Sequence, residues 1–223
     1  MTPPDRYHRR VLLSHGELFD IWLADDVSTG EAVAIKASLG GSDAAQRLAA
    51  ELVARRECVS AGFIPLRADA SGTTEPHLVL DYVAHCRFDD LTAPGMPDLA
   101  RPLALRLLSI ATSLQRAGLV HGALDGANVL ISRGSEVHVG GLGGILPVTL
   151  ATSGTDALAI GTLLTRCIET STTAAADGSL PARTSDRAVG RDPLLIAVVG
   201  ALLETDPGSR IGTEEAFALL SGA

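Results

Sequence analysis

Short apolar runs broken by turn residues dominate the first third of the chain, and helix-spaced apolar positions dominate the rest. Residues 10–24 and 31–39 read as strands. Val11-Leu12-Leu13 and Ile21-Trp22-Leu23-Ala24 flank a loop, and Ala32-Val33-Ala34-Ile35 follows the turn-like Ser28-Thr29-Gly30. Gly40-Gly41-Ser42-Asp43 breaks the chain and opens a helix over about 43–60, with Leu48, Leu52 and Val59 as its apolar stripe. His77–Val83 reads as another strand. A stretch marked by Pro94, Pro97 and Pro102 then leads into a long helix over roughly 99–117, ended by Gly118. Val129-Leu130-Ile131 and Val137-His138-Val139 are short strands around the turn Arg133-Gly134-Ser135. Helices are expected at about 155–169, 192–204 and 213–221, with 170–192 as a Thr/Ala/Gly-rich loop. A β-rich piece holding one helix, followed by a mainly helical piece, predicts the α+β class in two parts.

Composition narrows the function classes. At 223 residues the chain is long enough to bury a real core. No run approaches 18 consecutive apolar residues, so no membrane span is expected. The opening Met1-Thr2-Pro3-Pro4-Asp5-Arg6 lacks the apolar core of a signal peptide. Cys58, Cys86 and Cys167 form an odd, widely spaced set that suits a reducing cytoplasm. A formal net charge of −8 argues against nucleic acid, whose binding leans on a basic face. The histidines and cysteines show no metal-ligand spacing, so no metal is expected.

One compositional feature points to a position. Of the 18 basic residues only Lys36 is a lysine; the rest are arginine. Arginine is a planar fork, whereas lysine is a compact charge on a flexible stem, so this position is a candidate for a cation of that shape. The plainer alternative is that a single lysine must fall somewhere.

Lys36 ends Val33-Ala34-Ile35-Lys36, which is similar to the third-strand lysine motif of protein kinases. Ser14-His15-Gly16-Glu17-Leu18-Phe19 falls where that family has its glycine-rich loop, and Ile21-Trp22-Leu23-Ala24 where the next strand runs. Leu119–Leu130 resembles the catalytic loop, with His121, Leu124 and Asn128 retained. Gly141-Leu142-Gly143 sits where the family carries Asp-Phe-Gly. Asp156 with Ile160-Gly161 resembles the start of the core helix, and Asp206-Pro207-Gly208-Ser209-Arg210 the arginine-bearing segment near the domain end. The resemblance implies a two-lobed protein-kinase-like fold, with an N-lobe over 1–83 and a reduced C-lobe over 84–223. It further implies nucleotide-site roles for Lys36, its ion-pair partner Glu51, Asn128 and Gly16.

The departures from that pattern imply a pseudokinase. Phosphoryl transfer needs Mg²⁺ bridging the phosphates and a carboxylate to take the hydroxyl proton. The catalytic-loop carboxylate position is Ala123 and the metal-binding position is Gly141. Asp125 replaces the loop lysine and is expected to set negative charge where a phosphate would arrive. Ser14 and Phe19 replace two loop glycines, which makes close approach of backbone to phosphate harder. Only about 15 residues separate Gly141 from Asp156, too few for an ordinary activation segment. The expectation is a regulatory or scaffolding protein without catalysis, with ATP binding free of metal left open.

Plainer structural roles compete at each position. Glu51 has Arg47 and Arg55 at i−4 and i+4, so a surface charge ladder explains it as well. Asn128, His121 and Asp156 are expected to bond loop backbone, and Arg210 to find a substitute acid or solvent. Gly16 is equally a turn glycine. Thr170-Ser171-Thr172-Thr173 is either a phosphoacceptor cluster or a polar linker.

Arg6-Tyr7 with Leu13-Ser14-His15-Gly16 resembles the opening of MviN-type pseudokinase domains of actinobacterial lipid II flippases. That resemblance implies phosphorylation by an active Ser/Thr kinase and recruitment of a forkhead-associated protein as partner. His121-Gly122-x-Leu124 also resembles the loop of aminoglycoside-type kinases, which implies an alternative small-molecule phosphotransferase with Asp125 as a displaced base. A third reading is a ligand sensor that holds nucleotide without metal through Lys36, Glu51 and the Asp81-Tyr82-Val83 backbone.

Overall fold

The computed structural model describes residues 6–58, 62–91, 97–149, 152, 154–176 and 192–222. The chain is mixed α+β, sheet-rich in its N-terminal part and helical later. Five antiparallel strands form the first sheet: β1 (Tyr7–His15), β2 (Phe19–Asp26), β3 (Ala32–Ser38), β4 (Leu66–Ala70) and β5 (His77–Asp81), in the order β1-β2-β3-β5-β4. Helix α1 (Ser42–Glu57) lies between β3 and β4 in sequence.

Strand periodicity decides which way Lys36 faces. Side chains alternate across a strand, so Ala34 and Lys36 share one face of β3 while Val33 and Ile35 share the other. Val33 and Ile35 join Val79, Ala24 and Trp22 in an apolar cluster. Ala34 joins Leu48 and Leu52 of α1 with Leu78 and Leu80 of β5. In register, Ala34 pairs with Leu80 and Lys36 with Leu78. Lys36 is thereby turned toward α1.

After β5 come β6 (His85–Arg87), α2 (Pro97–Arg116), β7 (Leu119–Val120), β8 (Val129–Ser132), β9 (Val137–Val139) and β10 (Leu146–Pro147). Strands β6, β8 and β9 form one small sheet, and β7 and β10 pair separately. Helix α2 buries Leu103, Leu107, Ile110 and Leu114 completely. These positions recur at three- and four-residue steps, which puts them on one helix face. Helices α3 (Thr155–Ala176), α4 (Pro193–Leu202) and α5 (Thr213–Ser221) complete the second core around that face. No helix among the described residues is long and apolar enough to cross a membrane.

Several boundaries differ from the sequence expectation. The strand expected over 77–83 stops at Asp81, and α2 starts at Pro97, where a proline costs a helix nothing because first-turn amides lack partners. Residues 170–176, expected as loop, continue α3, because the run Ala174-Ala175-Ala176 is the strongest of helix formers. The rest of that expected loop, 177–191, lies outside the described residues, as do the side chains of Thr170–Thr173.

Candidate functional site

Lys36 is 6% exposed and Glu51 1% exposed, and Lys36 Nζ donates to Glu51 Oε2 at 2.5 Å. The other carboxylate oxygen accepts from Arg55 Nε at 3.0 Å and Nη2 at 2.8 Å, and Arg55 also donates to the Ile64 carbonyl. Glu51 is therefore clamped between two cations. Burial pushes its carboxyl up, but the charges of Lys36 and Arg55 outweigh this and hold it below the ordinary value. The surface-ladder alternative fails for Arg47, which turns away and donates to the Gly143 carbonyl at 2.7 Å. Lys36 Nζ also lies 4.3 Å from the centre of the Phe19 ring, a cation–π contact.

The segment from His121 to Asn128 is held by buried polar bonds. Asp156, fully buried at the start of α3, accepts the His121 amide at 2.8 Å and the Gly122 amide at 3.1 Å. His121 is also fully buried. Its Nε2 donates to the Gly140 carbonyl at 2.9 Å and its Nδ1 accepts the Ala123 amide at 3.4 Å. Those two roles need the neutral Nε2-protonated tautomer, and burial pushes the imidazole below its ordinary pKa. Asn128 Nδ2 donates to the Ala123 carbonyl at 2.8 Å. These three residues take the backbone-bonding roles expected of them.

Opposite this segment, Gly140–Gly144 makes a tight turn whose Leu142 is completely buried in the second core. Gly141 has φ +69°, the left-handed region that favours glycine. A Cβ on it would fall 2.1 Å from Asn128 Oδ1. A Cβ on Gly143 would fall 3.1 Å from Lys36 Nζ and 3.2 Å from the Phe19 ring, so glycine lets this turn close against both.

Between sheet, α1 and these two segments lies a cavity of about 550 Å³. Lys36, Glu51, Asn128 and Gly16 all line it, together with the Asp81-Tyr82-Val83 connector. The structure thus brings together the four residues singled out in sequence. Gly16 sits in the β1–β2 turn, its amide donating to the Phe19 carbonyl at 3.1 Å, which fits the plain turn role.

One expectation is corrected. Asp125 does not line the cavity; its Oδ1 accepts the Ala127 amide at 3.1 Å and the Asn128 amide at 3.0 Å, capping an exposed turn. Arg210 Nε donates to the Glu204 carbonyl at 2.9 Å, and its charge helps hold the Asp206 carboxyl below its ordinary value. The sequence reading missed Arg55 as a buried partner of Glu51, Arg47 as the tie to Gly143, and Phe19 as the cover on Lys36. Among the described residues no group of three or more His, Cys, Asp or Glu is placed to hold a metal ion.

No known protein family matches the chain, and no curated protein matches it either.

Proposed function

We propose that the chain is a catalytically inactive, two-lobed protein-kinase-like protein that acts as a regulatory or scaffolding partner of other proteins. The observation that carries this reading is the pairing of a kept positioning apparatus with missing reactive groups. Lys36, Glu51, His121, Asp156 and Asn128 make a buried, bonded frame around a cleft. At the two positions where phosphoryl transfer needs carboxylates stand Ala123 and Gly141.

Mg²⁺–ATP as that family uses it does not fit these residues. Asn128 spends its amide on the Ala123 carbonyl, and its Oδ1 takes the space that a side chain at 141 would need. Residue 125, the remaining carboxylate of the loop, caps backbone amides instead of facing the cleft, which counts against the small-molecule phosphotransferase reading. Partner chemistry follows from the sequence resemblance: a forkhead-associated domain, recruited after an active Ser/Thr kinase phosphorylates the chain.

The test is phosphate release from radiolabelled ATP with Mg²⁺, using wild type and Asp125→Ala. No release above buffer is expected from either. Turnover in wild type that Asp125→Ala abolishes would establish the phosphotransferase. A pulldown with a forkhead-associated domain, before and after kinase treatment, tests the partner; no phosphorylation-dependent capture would sink that assignment.

A further inference from the structure

We infer that the cleft beside Lys36 accepts an uncharged, flat aromatic ligand of about nucleoside size and turns away its phosphate esters, with Phe19 as the residue that discriminates. The inference rests on the cleft reading above and names the ligand class for that same site.

The cavity volume of about 550 Å³ falls within the range that buries a small organic ligand. Its walls are apolar where a flat ring would lie: Ile21 and Ala34 come from the sheet, Leu80 and Val83 from β5 and its exit, and Leu130 from β8. The Asp81-Tyr82-Val83 connector lines one rim and is itself pinned, since His85 Nδ1 donates to the Val83 carbonyl at 2.5 Å. An apolar slot with a few fixed polar groups is the usual make-up of a small-molecule site.

The far end of the slot disfavours anions. Lys36 is the buried ammonium there, and its charge is already committed to Glu51 at 2.5 Å and to the Phe19 ring at 4.3 Å. Arg55 is committed to Glu51 and the Ile64 carbonyl. Arg47 spends one N–H on the Gly143 carbonyl but keeps its charge, so it and the half-exposed Arg87 on β6 offer a phosphate only solvated guanidinia, and each solvent-screened charge pair is worth little. A phosphate reaching Lys36 must lift Phe19, open the Gly143 contact and compete with a carboxylate already in place. Each step costs free energy, and only solvent-screened guanidinia stand to repay it. A neutral ring asks for none of them.

The experiment is equilibrium binding of adenosine, AMP, ADP and ATP in EDTA, a series in which only the phosphate count changes. For wild type, adenosine is expected to bind and ATP to bind at least about tenfold more weakly. In Phe19→Ala the ratio is expected to shrink to within about threefold, chiefly through tighter ATP binding. If Phe19→Ala melts at the assay temperature, Phe19→Val shortens the side chain less, and the same ratio is read there. Equal affinity for ATP and adenosine in wild type would overturn the inference, as would an unchanged ratio in the variant or no binding of adenosine. Phosphate release is followed in parallel with Mg²⁺. Turnover there would defeat the inactive-kinase reading while leaving the affinity ratio to be judged by itself.

Discussion

Asn128 stands in the space that a side chain at Gly141 would occupy: an ideal Cβ on residue 141 lies 2.1 Å from Asn128 Oδ1. The absence of a side chain at 141 and the inward set of Asn128 are thus one packing arrangement. Placing a carboxylate there by Gly141→Asp should produce no phosphoryl transfer and should destabilise the fold. A non-glycine residue at φ +69° and the forced displacement of Asn128 together cost about 1–3 kcal/mol. Urea melts would show it, and Asn128→Ala in the same chain should recover part of the loss, because contacting sites do not add.

Glu51 holds two buried cations, so the three members of the cluster should not be equal. Glu51→Ala leaves Lys36 and Arg55 unpaired in the interior and should cost about 3–5 kcal/mol. Lys36→Met leaves Glu51 its Arg55 partner and should cost no more than about 2 kcal/mol. Paired denaturant titrations decide this; a larger loss for Lys36→Met would mean that Arg55 does not share the carboxylate.

Arg47 joins α1 to the Gly140–Gly144 turn from an exposed position. Arg47→Ala should therefore lower global stability by only about 0.5–1.5 kcal/mol. Its effect should be local. Hydrogen exchange is expected to speed up at the Gly144 and Ile145 amides, which close the turn onto Gly141 and Leu142. Unchanged exchange there would show that the turn is held by burial of Leu142 alone.

Much of this site is legible in sequence because its residues sit in regular elements. Lys36 lies on a strand whose alternation sends it to the face of Ala34, and Glu51 lies one helix turn past Arg47 and one before Arg55. The small strand β4 was not read in sequence: Leu66, Ala68 and Ala70 alternate with Arg67 and Asp69, but five residues make a weak signal beside a Gly- and Pro-flanked loop. Strands of two and three residues, such as β7, β10 and β6, carry no period at all; they exist only through tertiary pairing, β7 with β10 and β6 with β8. Phe19 was readable as a departure from the glycine that the resemblance implied, not as a cover on Lys36, because its reach depends on how the Gly143 turn closes. Asp125 was misplaced for a related reason. A carboxylate two and three residues ahead of free amides bonds them locally before it bonds anything across a cleft.

His121 is one source of the fold's pH response. Burial pushes its imidazole below the ordinary value of 6.5, with the Asp156 charge and the Gly140 carbonyl opposing. The unfolded chain therefore binds more protons than the folded chain once pH falls below about 6.5, so stability must fall with pH in that window. The contribution is complete above the unfolded value and is lost as pH drops toward the lower folded value. His138, also lowered by burial, acts in the same direction. The buried His121 contributes a slope of at most about 1.4 kcal/mol per pH unit, and the more solvated His138 less. Glu51 acts in a separate window, below its unfolded value of 4.5, since its folded value is depressed as well. Denaturant melts from pH 8 to 5 should show stability declining with acid, and His138→Gln should remove its share of the slope. Histidine ring resonances followed by NMR give the site-specific check. The His121 ring should remain neutral through pH 6.5, and a titration midpoint at or above that value would remove it as the source.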